Sequence, residues 1–270
     1  MIRILAPGFE CESAKRLGFP LQVYRFDKYV ESFDNDIIIR WGQSYIHKTK
    51  NGISREFKNV LMPSVAITRN ANKFSSSKLL AEVVPVPQLF EKKVPNGITA
   101  VVRSIEHAAG SNFEIKEGPI DLKSGQYASE FISTDTEVRV WFCGEETLCA
   151  KRVPMETNKN EDPRMRACWS YKFCYEKTPK KLHDDTLKAA EKLGLSWGAA
   201  DILLTENGHY FLELNISPSI DTPRVERMFK TGLMKLLNDK FGKNLEQLAE
   251  FNKMKELGYV FDKVEDLTHS

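Results

Sequence analysis

The run LSWGAADILLTENGHYFLELNISPSI constrains this chain more than any other. Two segments rich in aliphatic and aromatic residues, Gly198–Leu204 and His209–Ile216, flank Glu206-Asn207-Gly208, the strongest short-range signal for a β-hairpin. Two registers are open. A two-residue Asn-Gly turn pairs Leu204 with Phe211 and Ile202 with Glu213, and sends Asp201 and Glu213 to opposite faces. A three-residue loop with Gly208 in the left-handed position pairs Leu204 with Tyr210 and Ile202 with Leu212. Ala200, Ile202, Leu204, Tyr210, Leu212, Leu214 and Ile216 then share one apolar face. That continuity favours the second register, which sets Asp201 directly across from Glu213, with Asn215 two residues further along the same face.

Two carboxylates placed opposite each other repel, so stability alone gives no reason for the arrangement. A cation between them does. Aspartate, glutamate and an asparagine amide are hard oxygen donors suited to Mg²⁺, which keeps several waters and commonly meets nucleotide phosphates through one or two protein carboxylates. The plainer alternative is a solvated sheet face that carries three polar residues.

The texture of the chain changes along its length. Residues 1–70 mix short apolar runs (Ile2–Leu5, Ile37–Ile39, Val65–Ile67) with charged connectors, as small α/β units do. A helix opens after Asn72, carries Phe74, Leu79, Leu80 and Val83, and must stop before Pro85 and Pro87. Strands are expected at Ile98–Val102, Tyr127–Ile132 and Glu137–Cys143. The last alternates Val138, Val140 and Phe142 against Glu137, Arg139 and Trp141. Thr178-Pro179 reads as an N-cap with proline at the first helical position, Leu182, Thr186, Leu187, Ala190 and Leu193 form the buried stripe, and Gly194 stops the helix. A helical tail follows from Pro223 to about Gly258, with Val225, Met228, Phe229, Leu233, Leu236 and Leu237 in register.

Composition excludes several classes. With 270 residues, 41% hydrophobic and 28% charged, the chain is neither disordered nor collagenous. Its net charge of +2 creates no bulk field that demands a polyanion. No apolar stretch approaches the ~18 residues of a membrane span, and the start MIRILAPGFE breaks at Pro7-Gly8 before a signal-type core develops. A cytoplasmic protein with no membrane partner is expected. The five cysteines lack metal-ligand spacing and read as reduced and mostly buried.

The hairpin resembles the metal-binding signature of the ATP-grasp superfamily, in particular its carboxylate–amine ligases, among them D-alanine–D-alanine ligases and the enzymes that add glutamate to ribosomal protein. In that family an Asp on one strand and Glu-x-Asn-x-Ser-Pro on the next hold Mg²⁺, for which Mn²⁺ can stand in, around the ATP phosphates. Asp201, Glu213 and Asn215 match those positions. The resemblance extends from about residue 72 to 222 and rests on several motifs in the family's order. It implies an α/β (α+β) ATP-grasp fold: an N-terminal α/β domain over 1–71, a smaller lobe with the phosphate lid over 72–131, and a larger lobe with the metal site and helical tail over 132–270.

Further residues follow from the same resemblance. AVVRSIEHAAGSNFEI stands where the family has a strand ending in a basic residue and a glycine-containing lid. Arg103 takes the usual lysine's place, a change of geometry more than of charge. The lid is His107–Asn112, with His107, Gly110 and Ser111 near phosphate. Lys73 resembles the lysine that reaches ATP from the smaller lobe. YASEFISTDTEVRV resembles the hinge, in which Glu130, Phe131 and Ile132 meet the adenine edge. Glu137 fits the ribose-binding carboxylate, and Arg139 shares its face.

Residues 151–183 carry nine lysines and arginines against four acids, a local excess of five positive charges. Lys151 and Arg152 end a strand antiparallel to Glu137–Cys143, so at least one is expected to reach the phosphates or an acyl phosphate; the other basic residues could equally be a solvated face. The implied chemistry is attack of a substrate carboxylate on the γ-phosphate of ATP, then displacement of phosphate by an amine. The partners are ATP, a carboxylate and an amine carried by an amino acid, a peptide or a modified small molecule. Arg103, Arg139, Lys151 and Arg152 are the catalytic candidates, and no protein nucleophile is visible. Two alternatives stay open: a small-molecule kinase of the same fold and, less favoured, a basic nucleic-acid-binding protein with Asp201 and Glu213 as nuclease ligands. In residues 1–70, Arg40-Trp41-Gly42 is either a strand-end substrate contact or a turn with a packed tryptophan.

Overall fold

The computed structural model describes residues 1–6, 11–18, 22–25, 36–42, 57–105, 113–134, 136–154, 171–242, 252–253 and 256. The chain opens with β1 (Ile2–Ala6), α1 (Glu12–Gly18), β2 (Gln22–Arg25), β3 (Ile37–Arg40), β4 (Asn59–Leu61) and α2 (Ser64–Ala71). The four strands are parallel, in the order β2-β1-β3-β4. β1 and β3 are buried along their whole length, as near-continuous apolar strands of a covered parallel sheet are. Arg3 sits inside this run because Asp36 neutralises it, Nε to Oδ2 at 2.5 Å. Of the three apolar runs read from the sequence, Ile2–Leu5 and Ile37–Ile39 are strands, whereas Val65–Ile67 lies within α2, whose entry Pro63 fixes.

A second set follows: α3 (Lys73–Leu80), β5 (Leu89–Phe90), β6 (Lys93–Val94), β7 (Thr99–Ser104), β8 (Phe113–Glu117), β9 (Ile120–Asp121) and β10 (Gln126–Glu130). Asn72 caps α3, its side-chain oxygen accepting from the Ser75 amide at 2.9 Å. The main sheet here is antiparallel, β5-β10-β7-β8, over its own apolar cluster of Phe90, Val94, Ala100, Val102 and Ala128.

The third set holds β11 (Thr136–Cys143), β12 (Glu146–Pro154), β13 (Tyr171–Glu176), α4 (Lys180–Leu193), β14 (Trp197–Thr205), β15 (Gly208–Asn215) and α5 (Pro223–Phe241). Its five strands are all antiparallel, in the order β13-β12-β11-β14-β15. α4 is capped at Pro179 without a side-chain bond, not at Thr178, and ends at Gly194 in the left-handed region (φ 74°). α5 starts under Thr222, whose hydroxyl accepts from the Val225 amide, and buries Val225, Met228, Phe229, Leu233 and Leu237. One large apolar cluster runs from Ile4, Ile39 and Trp41 through α4 and α5 into β11 and β14. The N-terminal sheet and the five-stranded sheet therefore share a core.

Among the described residues Cys11, Cys143, Cys149 and Cys174 are free. Burial pushes the Cys143 thiol up, and burial with the Glu176 carboxylate pushes Cys149 up to about 12. No helix among the described residues is long and apolar enough to cross a membrane.

Candidate active site

The register of β14 against β15 differs from the expectation at one end and agrees at the other. Near the turn Thr205 pairs with Gly208, Leu204 with His209, Leu203 with Tyr210 and Ile202 with Phe211; a bulge follows, after which Asp201 pairs with Glu213, Ala200 with Leu214 and Ala199 with Asn215. The loop is the two-residue Glu206-Asn207, and Leu212 is the extra residue in β15. The bulge moves His209 and Phe211, not Tyr210 and Leu212, onto the apolar face beside Ile202 and Leu214. Beyond it, Asp201, Glu213 and Asn215 lie on one face. The Asn215 side-chain oxygen also accepts from the Ser217 amide at 2.9 Å, which fixes the amide's direction and leaves that oxygen a second lone pair.

β11 and β12 carry the basic groups of this face. Arg139 is directly across from Asp201 and grips it as a fork, Nε to Oδ1 at 2.7 Å and Nη2 to Oδ2 at 2.9 Å. Burial works against the charge on Arg139, but Asp201, with Glu137 and Glu213 beyond it, holds its pKa above the ordinary guanidinium value. Arg152 is across from Glu137, donates to its carboxylate and approaches Asp201 at 3.3 Å. Glu137 is thus buried against an arginine, whereas the ribose role needs it turned to a ligand. Lys151 pairs with Val138, so it lies on the opposite face, exposed. Of the two strand-end basic residues only Arg152 joins the carboxylates.

The other wall comes from α3 and the four-stranded sheet. Lys73, first residue of α3, places Nζ 3.2 Å from Glu213. A cation in the first turn meets the unfavourable end of the helix dipole, so its position serves Glu213 and not the helix. Arg103 is directly across from Tyr127, hydrogen-bonds its hydroxyl and lies over the Phe113 ring at 5.6 Å. Tyr127 packs on Phe74 at 5.1 Å. Its pKa is raised by burial and by Glu213, against the pull of Arg103. Tyr127 is a site residue that sequence reasoning missed, since it reads as one more apolar strand residue; its pairing with Arg103 was the available signal. Phe173, which lies against both Arg139 and Arg152, is a second such residue; it stands in β13, a segment whose sequence was read only for its charges.

At the hinge, the amides of Glu130 and Phe131 donate to the carbonyls of Gln88 and Thr99, both at 2.8 Å, and Ile132 follows outside the strand. A cleft of about 620 Å³ opens just beyond, between Ser133, Thr134 and Thr136 and the hairpin tip of Leu204, Thr205, Glu206 and Asn207. His107, Gly110 and Ser111 lie outside the described residues, as do residues 155–170 of the basic segment and the tail beyond Gly242 apart from 252, 253 and 256. Trp41 is fully buried, stacked on Trp197 at 6.0 Å and edge-on to Phe229 at 5.5 Å. Arg40 is 1% exposed and covers the Phe57 ring. The packed-tryptophan reading of this turn holds for Trp41.

No family model matches the chain, and no curated protein matches it. Solved structures do. The chain is similar to the ATP-grasp ligase PsnB complexed with a minimal precursor, at 11% identity and a TM-score of 0.59, over 82% of this chain and 91% of that one. It is similar to the macrocyclase MdnC from Microcystis aeruginosa MRC bound with its precursor peptide MdnA (13%, TM-score 0.57, 88% and 99%). It is also similar to a D-alanine–D-alanine ligase from Bacillus anthracis (12%, TM-score 0.56, 95% and 99%). The three are ATP-grasp ligases, and their likeness to this chain is one of fold.

Proposed function

With the ATP-grasp fold as premise, we propose that the chain is an ATP- and Mg²⁺-dependent ligase that joins a carboxylate to an amine through an acyl phosphate, releasing ADP and phosphate. One observation carries the reading. Two carboxylates and an amide share a sheet face with Arg139 and Arg152, and α3 brings Lys73 to the same spot.

The donor set fits Mg²⁺: Asp201, Glu213 and Asn215 offer hard oxygens from adjacent strands and leave room for phosphate and water ligands. When bound there, Mg²⁺ would offset phosphate charge and fix the triphosphate. Lys73 and Arg103 take phosphate oxygens; Tyr127 holds Arg103 in direction from across the strand pair. Arg139 and Arg152 stabilise the charge that develops on the transferring phosphoryl group and on the acyl phosphate. Glu130, Phe131 and Ile132 receive the adenine edge, Glu137 the ribose once Arg152 turns to phosphate, and His107, Gly110 and Ser111 close over the site. Lys151, on the opposite face, has no part in this set. Catalysis is positioning and charge stabilisation, with no covalent enzyme intermediate. We place the enzyme in the cytoplasm, where its cysteines stay reduced.

A Mg·ATP thermal shift tests the reading. Wild type should gain several degrees, and Glu213→Ala and Asn215→Ala should lose most of that gain while keeping the wild-type melting temperature without nucleotide to within a few degrees. No shift on wild type would end the ATP reading. A screen for ADP and phosphate release should begin with peptides, because two of the similar solved ligases are complexed with precursor peptides; a phosphorylated product without an amide would turn the ligase into a kinase.

A further inference from the structure

In the structure, the charges that neutralise the three acids of the site belong to the chain itself. Asp201 accepts from Arg139 at both oxygens and from Arg152 at 3.3 Å; Glu137 accepts from Arg152; Glu213 is paired with Lys73 at 3.2 Å. Among the described residues three carboxylates thus face three cations. These are not loose surface contacts: the side chains of Asp201 and Glu137 are 9% and 7% exposed, and those of both arginines 15%. A divalent ion arriving alone would meet carboxylate oxygens that already point at N–H groups, and would have to displace a buried guanidinium from them. A triphosphate changes that balance. Its oxygens accept the same guanidinium fork and the same ammonium, so basic side chains can transfer from carboxylate to phosphate in the step that brings the metal.

We infer that Lys73 on Glu213 and Arg139 on Asp201 hold the metal's place, with Arg152 bridging Asp201 to Glu137, so that divalent metal enters with the nucleotide and not before it. The inference rests on the ATP reading above and adds a rule of coupling: affinity for metal is conferred by nucleotide, and by thermodynamic reciprocity metal confers affinity for nucleotide to the same degree. Lys73 is the most accessible member, since it and Glu213 are 25% and 33% exposed and its removal leaves the buried arginine pairs intact. It acts on the metal through Glu213 and is therefore a positioning residue in this role.

The test uses the full chain with Mn²⁺ as probe, free Mn²⁺ being read by electron paramagnetic resonance, with and without a non-hydrolysable ATP analogue. Wild type should bind Mn²⁺ weakly alone and at least tenfold more tightly with the analogue. Lys73→Met should tighten Mn²⁺ binding in the absence of nucleotide by about tenfold, the scale of losing one nearby unit charge, and so narrow the gap. Arg139→Met, checked by circular dichroism for retained fold, should do the same through Asp201. Wild type binding Mn²⁺ equally well with and without the analogue would overturn the inference while leaving the ATP reading standing, as would a Lys73→Met protein with unchanged affinity for Mn²⁺ alone. Failure of the analogue to bind in any protein, by Mn²⁺ uptake or thermal shift, would overturn both.

Discussion

His209 and Asp185 show how single side chains on the face away from the site answer to pH. His209 is 7% exposed, with Nε2 3.0 Å from Asp185 Oδ2. Burial depresses its pKa below 6.5; Asp185 opposes this and Lys181 adds to it. The folded chain therefore takes up this proton less readily than the unfolded one, so the stability it contributes is present above about pH 6.5 and is lost as pH falls. Asp185, depressed by Lys181 and Lys188 against the cost of burial, withdraws its own share lower, below about pH 4. Between about pH 7 and pH 5 the wild-type melting temperature should fall more steeply than that of His209→Gln, and parallel slopes would refute the assignment. None of this was readable beforehand: His209 stood in the hairpin motif, but its partner comes from α4, and only the packed fold brings the two together.

At the scale of elements, strands and helices were largely legible. Asn72 as a cap, Gly194 as a stop and Glu137 alternating with Val138 each follow from local chemistry. The turn was not. Glu206-Asn207-Gly208 admits more than one loop, and a continuous apolar face was a sound criterion that a bulge defeats, because one extra residue lets Phe211 and Leu214 both point inward. The pairing of Asp201 with Glu213 survived since it depends on the far side of the bulge. The arginine fork on Asp201 was half legible: Arg139 was placed on the right face, but cross-strand register with β14 decides its partner. Gly198 supports the same region. A Cβ there would stand 2.7 Å from the Asn215 carbonyl oxygen and 2.8 Å from the Phe142 ring. Gly198→Ala should cost about 1–3 kcal/mol and, by pushing Asn215, weaken Mg·ATP binding beyond what the lost stability explains. Calorimetric titration beside a melting curve separates the two, and an unchanged binding constant would show that Asn215 had not moved.

Across the whole molecule, Trp41 ties three parts together: it follows β3 of the parallel sheet, its amide donating to the Leu5 carbonyl of β1, stacks on Trp197 at the start of β14 and meets Phe229 of α5 edge-on. Trp41→Ala should cost roughly 3–5 kcal/mol. Because the N-terminal sheet and the five-stranded sheet share one apolar cluster, urea unfolding followed by fluorescence and by circular dichroism should still coincide. Two separated transitions would show that these parts fold on their own. The sequence could suggest a front domain by texture, yet a shared core is a property of long-range packing and leaves no periodic trace in residues 1–70.

The bulge at Leu212 has one more consequence. A ladder with strict alternation is read in a single phase from end to end, so any change at its turn propagates to every residue beyond. An inserted residue resets that phase. The tip of the hairpin can be rebuilt for packing, with His209 and Phe211 in their own frame, while Glu213 and Asn215 keep theirs against Asp201; the segment that answers to the core and the segment that answers to chemistry are thereby free to vary apart.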